Sequence, residues 1–175
     1  GVDIRDPRVD ALNLLQTATS GLSSQLGVTI REERGLVYYC GTMHVAGTEP
    51  GTFAFFAGTR EDAVAEVEKL INQEIERITR SGLTEEEMER ARNQIIADYE
   101  MSLQDNLGVA PTCALNELNG LGYMHHFTAR KRFESLTRED VRNAASSVLS
   151  TNRAAVSIVL PEVSSTEKSR PPARK

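Results

Sequence analysis

The feature that most constrains the fold is the apolar series Val64, Val67, Leu70, Ile71, Ile75 and Ile78. These residues recur at three- and four-residue steps, which aligns them along one side of a helix that Ser81-Gly82 ends. The positions between them are mostly charged or amide side chains. Such a helix lays one side on a core and leaves the other in water. Its partner lies just upstream. Thr52 to Thr59 carries Phe53, Phe55 and Phe56 and reads as a strand covered on both faces. Thr48-Glu49-Pro50-Gly51 has the chemistry of a tight turn, and a longer strand from about Leu36 to Ala46 precedes it. A hairpin feeding a long amphipathic helix implies an α+β fold with helices packed on one face of a sheet.

Alternation along the first strand puts Val37, Tyr39, Met43 and Val45 on one face and Tyr38, Cys40, Thr42 and His44 on the other. The first set is the more apolar and is expected to face the core, leaving Tyr38 and His44 on the wetter side. Phe53, Phe55, Val67, Leu70, Ile71 and Ile95 are the expected core.

Further helices follow from their start and stop signals. Asp6-Pro7 opens one that carries Val9, Leu12 and Leu15 to Ser20-Gly21. Leu22, Leu26 and Ile30 form the stripe of a short second helix, with Gly35 as its stop. Thr84 with Glu87 is a capping box for a helix that runs to about Leu103. Asp105-Asn106 reads as a break and a new cap, Thr128 to Glu134 as a short helix, and Thr137 to Asp140 as the cap of another. Ala154 to Leu160 reads as a late, buried strand, which makes the expected sheet a mixed one. Residues 1–162 are expected to form one domain and 163–175 a disordered tail.

The formal charge of -5 over 175 residues disfavours nucleic acid as a partner, because phosphate binding needs a basic face. No run of about 20 apolar residues is present to span a membrane. No signal-peptide pattern opens the chain. Cys40 and Cys113 are too few for a disulfide framework and read as two buried thiols. The sequence assigns no compartment.

The stretch from Ser23 to Tyr39 holds the candidate functional residues. Arg31 leaves the last turn of the short helix, and Tyr38 leaves an early position of the strand beyond Gly35. Both could face one opening. Read by themselves, Arg31 is a surface ion-pairing residue and Tyr38 a half-buried ring with its hydroxyl in water. The run Ser24-x-Leu26-x-x-x-x-Arg31-Glu32-x-x-Gly35-Leu36-x-Tyr38 resembles the second, non-catalytic type of domain in the pitrilysin/insulinase metallopeptidases, relatives of the mitochondrial processing peptidase. The following elements match in order over roughly Asp10 to Pro161, with departures at Gln25, usually Arg, and Gly27, commonly a large apolar residue. The resemblance implies a processing-peptidase-like domain that lacks its first strands. It also implies that Arg31 and Tyr38 help to hold a peptide substrate, and that the partner is a zinc-bearing domain on the same or a separate chain. The alternative within the family is a structural or assembly domain with no peptidase role.

The zinc site of that family resembles an inverted H-x-x-E-H on a helix. His44, His125 and His126 are the only histidines, and none forms such a motif. No metal or catalytic residue is therefore expected in this chain, and zinc is expected on the partner. The alternative is an unrelated metal site from His125 and His126 with Glu117 or His44, against which stands that adjacent residues rarely point the same way. No G-x-S-x-G elbow is present, and neither cysteine has an obvious histidine partner.

Overall fold

A computed structural model of the chain describes residues 1–21, 24–104 and 106–161. The expectations for Leu22, Ser23, the break at Asp105 and the tail 163–175 lie outside the described residues.

Helix α1, Val9–Thr19, is the centre of the fold and packs against helices from the second half of the chain and against the sheet. It starts where Asp6 directs it to. The Asp6 carboxylate accepts the Arg8 N–H at 2.9 Å, and the Asp6 carbonyl accepts the Val9 N–H at 3.0 Å. Leu12, Leu14 and Leu15 leave α1 into the main core, where they meet Ile78, Leu83, Met88, Phe133 and Val141.

A short helix α2, Gln25–Gly27, continues into a wider turn, Val28–Glu33. Leu26 and Ile30 from this segment join Leu36, Val37, Val67 and Leu70 in a second core. The rest follows the order expected: β1 (Val37–Val45), β2 (Thr52–Thr59), α3 (Val64–Ser81), α4 (Glu85–Ser102), α5 (Asn106–Leu118), α6 (Ala129–Ser135) and α7 (Arg138–Val148). Capping boxes open α4 at Thr84 and α7 at Thr137. Of the expected core, Val67, Leu70 and Ile95 are buried, while Phe53, Phe55 and Ile71 pack at its margins. No described helix is long and apolar enough to cross a membrane.

The fold is α+β, but its sheet departs from expectation in two ways. Among the described residues it has two antiparallel strands, with one parallel bridge between Asp3 and Gly47 beside it. The late strand does not form. Residues 154–160 are unpaired, with Val156, Ile158, Val159 and Leu160 all exposed. A strand is held by hydrogen bonds to a neighbour, and no described strand lies alongside this one.

The second departure is the facing of β1. Val37 pairs with Thr59 and Tyr39 with Gly58, so Tyr38 is an extra residue in the ladder, a β-bulge. The bulge resets the alternation. Val37 is buried, and Cys40, Thr42 and His44 then turn towards the helices, while Tyr39, Met43 and Val45 turn out. The expected face is reversed beyond Val37.

Candidate peptide-holding site

The polar inner face of β1 meets a polar row at α1 and its C-terminal end, which pairs Thr42 and one ring nitrogen of His44 and leaves His44 Nε2 buried without a partner among the described residues. Thr42 Oγ1 lies 2.8 Å from Thr19 Oγ1 and 2.8 Å from Ser20 Oγ, and it donates to the Gln16 carbonyl at 3.0 Å. His44 Nδ1 lies 2.7 Å from Asn13 Oδ1, and its ring stacks obliquely on Phe53. Burial of this half-covered ring pushes the His44 pKa down, because the charged form is the one that loses hydration. These contacts fix the strand against α1 and so fix where its first residues emerge.

The segment ahead of the strand is held equally firmly. Ser24 Oγ accepts the Gly27 N–H at 2.9 Å and donates to the Gly21 carbonyl at 2.8 Å. Leu26 and Ile30 anchor the turn below, and residues 31–35 are all exposed above it. Gly35, at φ 59, turns the chain into the strand. Its N–H donates to the Arg31 carbonyl and the Leu36 N–H donates to the Ile30 carbonyl. A left-handed residue is needed there, and glycine takes that conformation without a Cβ penalty.

Arg31 and Tyr38 therefore stand on two rigidly seated segments on either side of one glycine turn. Tyr38 is 83% exposed at the bulge. It lines a shallow hollow with Gly35, Leu36, Val37, Tyr39, Gly58, Thr59 and Arg60. Arg31 is exposed and lies outside that lining. Its positive charge is close enough to Cys40 to offset part of the upward push that burial gives the thiol. Among the described residues no ion pair engages Arg31, whereas Arg34 pairs with Glu66 at 2.7 Å.

The histidines do not form a metal centre. His126 Nε2 is 2.8 Å from Ser102 Oγ, and its ring lies 5.0 Å from that of Tyr99. Burial, with Arg132 nearby, pushes both His125 and His126 down. Glu117 accepts the Tyr123 N–H at 2.9 Å. Among the described residues no group of three His, Cys, Asp or Glu side chains is placed to hold a metal ion. This donor set does not fit a zinc ion.

A family model described as the peptidase M16 inactive domain matches residues 1–95. The chain belongs to this family. An uncharacterized zinc protease of Streptomyces coelicolor is 31% identical over 162 residues, which are 92% of this chain and 35% of that protein. Another from Bacillus subtilis is 24% identical across 67% of this chain and 29% of its own length. The chain thus spans about a third of the curated relatives it matches. The solved M16 inactive domain of Pseudomonas fluorescens superimposes with a TM-score of 0.78 at 22% identity, over 86% of this chain and 36% of that one. A protease of Helicobacter pylori gives 0.72 at 19% identity, over 83% and 35%. At these identities the solved structures establish the fold of the M16 inactive domain and nothing finer.

Sequence reasoning missed the outward residues of the hairpin. Alternation and polarity alone place Tyr39 and Met43 in the core, and Phe56 in a strand covered on both faces, whereas all three are about half exposed. The available signal was the pair of strand glycines, Gly41 and Gly58, which lie beneath the Phe56 and Tyr39 rings.

Proposed function

We propose that this M16 inactive domain is the substrate-holding half of a two-halved zinc peptidase, with Arg31 and Tyr38 contacting the peptide. The supporting observation is the placement of Tyr38. It is a largely exposed phenol on a bulge whose neighbours are buried or paired, and a solvated aromatic on a conformationally fixed backbone is suited to a ligand rather than to the core. The zinc, its water and the general base would come from the other half. Within this chain, the Arg31 guanidinium and the Tyr38 hydroxyl would donate hydrogen bonds to a peptide carbonyl as negative charge develops on it. Donors fixed in advance stabilise such charge without reorganising.

The test is turnover in the complete enzyme. Arg31→Ala and Tyr38→Phe should each lower kcat and kcat/KM together by about 10²–10³, the usual cost of losing one oxyanion donor. The melting temperature should stay near the parent's, since neither side chain is buried. A rise in KM alone would reduce the role to gripping. Unchanged cleavage in both variants would replace this reading with that of a structural or assembly domain.

A further inference from the structure

Directly opposed residues of an antiparallel ladder project to the same side. Tyr39, Gly41, Met43 and Val45 therefore share the outer face of the hairpin with Gly58, Phe56, Ala54 and Thr52. Tyr39, Met43, Val45 and Phe56 are between 45% and 54% exposed. Neither strand carries Lys, Arg, Asp or Glu. The two glycines shape this surface. A Cβ on Gly58 would lie 2.3 Å from the Tyr39 ring, and one on Gly41 would lie 3.1 Å from Phe56. Both rings consequently lie down across the partner strand. Tyr38 meets Tyr39 edge-on at 6.4 Å, and Tyr39 meets Phe56 at 6.3 Å. An uncharged aromatic row thus begins at Tyr38 and crosses the hairpin.

We propose that this row is a side-chain subsite that selects an apolar or aromatic residue of the peptide held at Tyr38. The inference rests on the reading of Tyr38 as a peptide contact, and it adds the specificity. Two observations identify the occupant. The row is continuous with Tyr38, so an extended peptide there can place a side chain over Tyr39 and Phe56. The two strands also carry no charged residue, and Arg60 at the edge of the hollow is already paired with Asp62 at 2.8 Å, so seating a charged side chain over the rings would strip its water without return. A planar or branched apolar side chain releases water from both surfaces and can stack in offset fashion on the recumbent rings.

The experiment uses the complete protein and quenched-fluorescent peptides of one sequence, with Phe, Leu, Ala, Glu or Lys placed in turn at each position near the cleaved bond. At one position Phe and Leu should exceed Ala, with Glu and Lys poorest. Phe56→Ser should lower the Phe-over-Ala ratio of kcat/KM about tenfold, mainly through KM. Met43→Glu, which keeps the aromatic row, should move the preference towards Lys, and it decides the matter if Phe56→Ser does not fold. Where no peptide is turned over, fluorescence anisotropy of the same peptides reads the same ratios as binding. Ratios unchanged in both variants would overturn the proposal. So would an equal loss for every peptide, which would mean that the face seats the rest of the polypeptide. A dimer that dissociates in both variants on sedimentation would assign the face to a second copy, and would also overturn it. Arg31→Ala and Tyr38→Phe on the Ala peptide report on the grip alone, so its failure is read separately from that of the subsite.

Discussion

Arg77 ties the two long helices together, and removing its charge should have a measurable cost. Its guanidinium donates to both Glu74 oxygens at 2.8 Å and to Glu87 at 2.8 and 3.2 Å. The side chains are 30% exposed for Arg77, 8% for Glu74 and 13% for Glu87. Glu87 also closes the cap of α4 by accepting the Thr84 N–H at 2.7 Å. Arg77→Met keeps the apolar stem and leaves two nearly dry carboxylates without a cation. Breaking a fully buried pair from one side costs about 3–5 kcal/mol. Partial access of water to the site reduces this to about 2–3 kcal/mol. For a domain of this length that corresponds to a fall in melting temperature of about 4–12 °C. Urea unfolding followed by circular dichroism measures the free energy, and calorimetry measures the midpoint. Adding Glu74→Gln to the Arg77→Met variant removes the more buried carboxylate charge and should restore about half the loss. A deficit below about 0.5 kcal/mol, in the range of an exposed pair, would refute the reasoning.

Two further outcomes follow from the core and from the histidines. Phe133 is 0% exposed in the main core, so Phe133→Ala should cost about 3–5 kcal/mol in urea unfolding. Burial lowers the pKa of His44 in the folded state, so the unfolded chain takes the proton first. The contribution of neutral His44 is complete above the ordinary histidine pKa and is lost as pH falls below it. His44→Leu should make the decline in melting temperature from pH 7 to pH 5 less steep, with His125 and His126 carrying the remainder.

Elements governed by local chemistry were legible in the sequence. The boxes Thr84 with Glu87 and Thr137 with Asp140 close as their spacing requires. The second strand occupies the expected Thr52–Thr59. What depended on distant partners was not legible. The composition of residues 154–160 suits a strand, but pairing needs a neighbour that no described segment supplies. The faces of β1 were assigned by polarity, on the premise that Thr42 and His44 belong in water. Asn13, Gln16, Thr19 and Ser20 make that premise false, because they give these residues hydrogen bonds inside the fold. At the candidate site, Arg31 and Tyr38 are proposed on the motif around Gly35, which is local. The aromatic row beside them depends on the bulge and was missed.

The bulge at Tyr38 links these observations. An unbulged strand would turn Tyr39, Met43 and Val45 inward and expose Cys40, Thr42 and His44. That register would bury more apolar surface on β1, and at roughly 25 cal/mol per Å² hydrophobicity alone would favour it. It would also set the polar row of α1 against an apolar sheet. Each buried donor or acceptor left unpaired costs about 1–3 kcal/mol, and Thr42 by itself answers groups on Gln16, Thr19 and Ser20. Several such losses together outweigh the gain from burying the exposed half of three side chains, Tyr39, Met43 and Val45, roughly 1 kcal/mol each. The polar row of α1 therefore selects the bulged register. One consequence of that choice reaches the surface: the same extra residue that brings Thr42 and His44 onto the polar row inside lifts Tyr38 clear of the sheet and turns Tyr39 and Met43 outward beside Phe56.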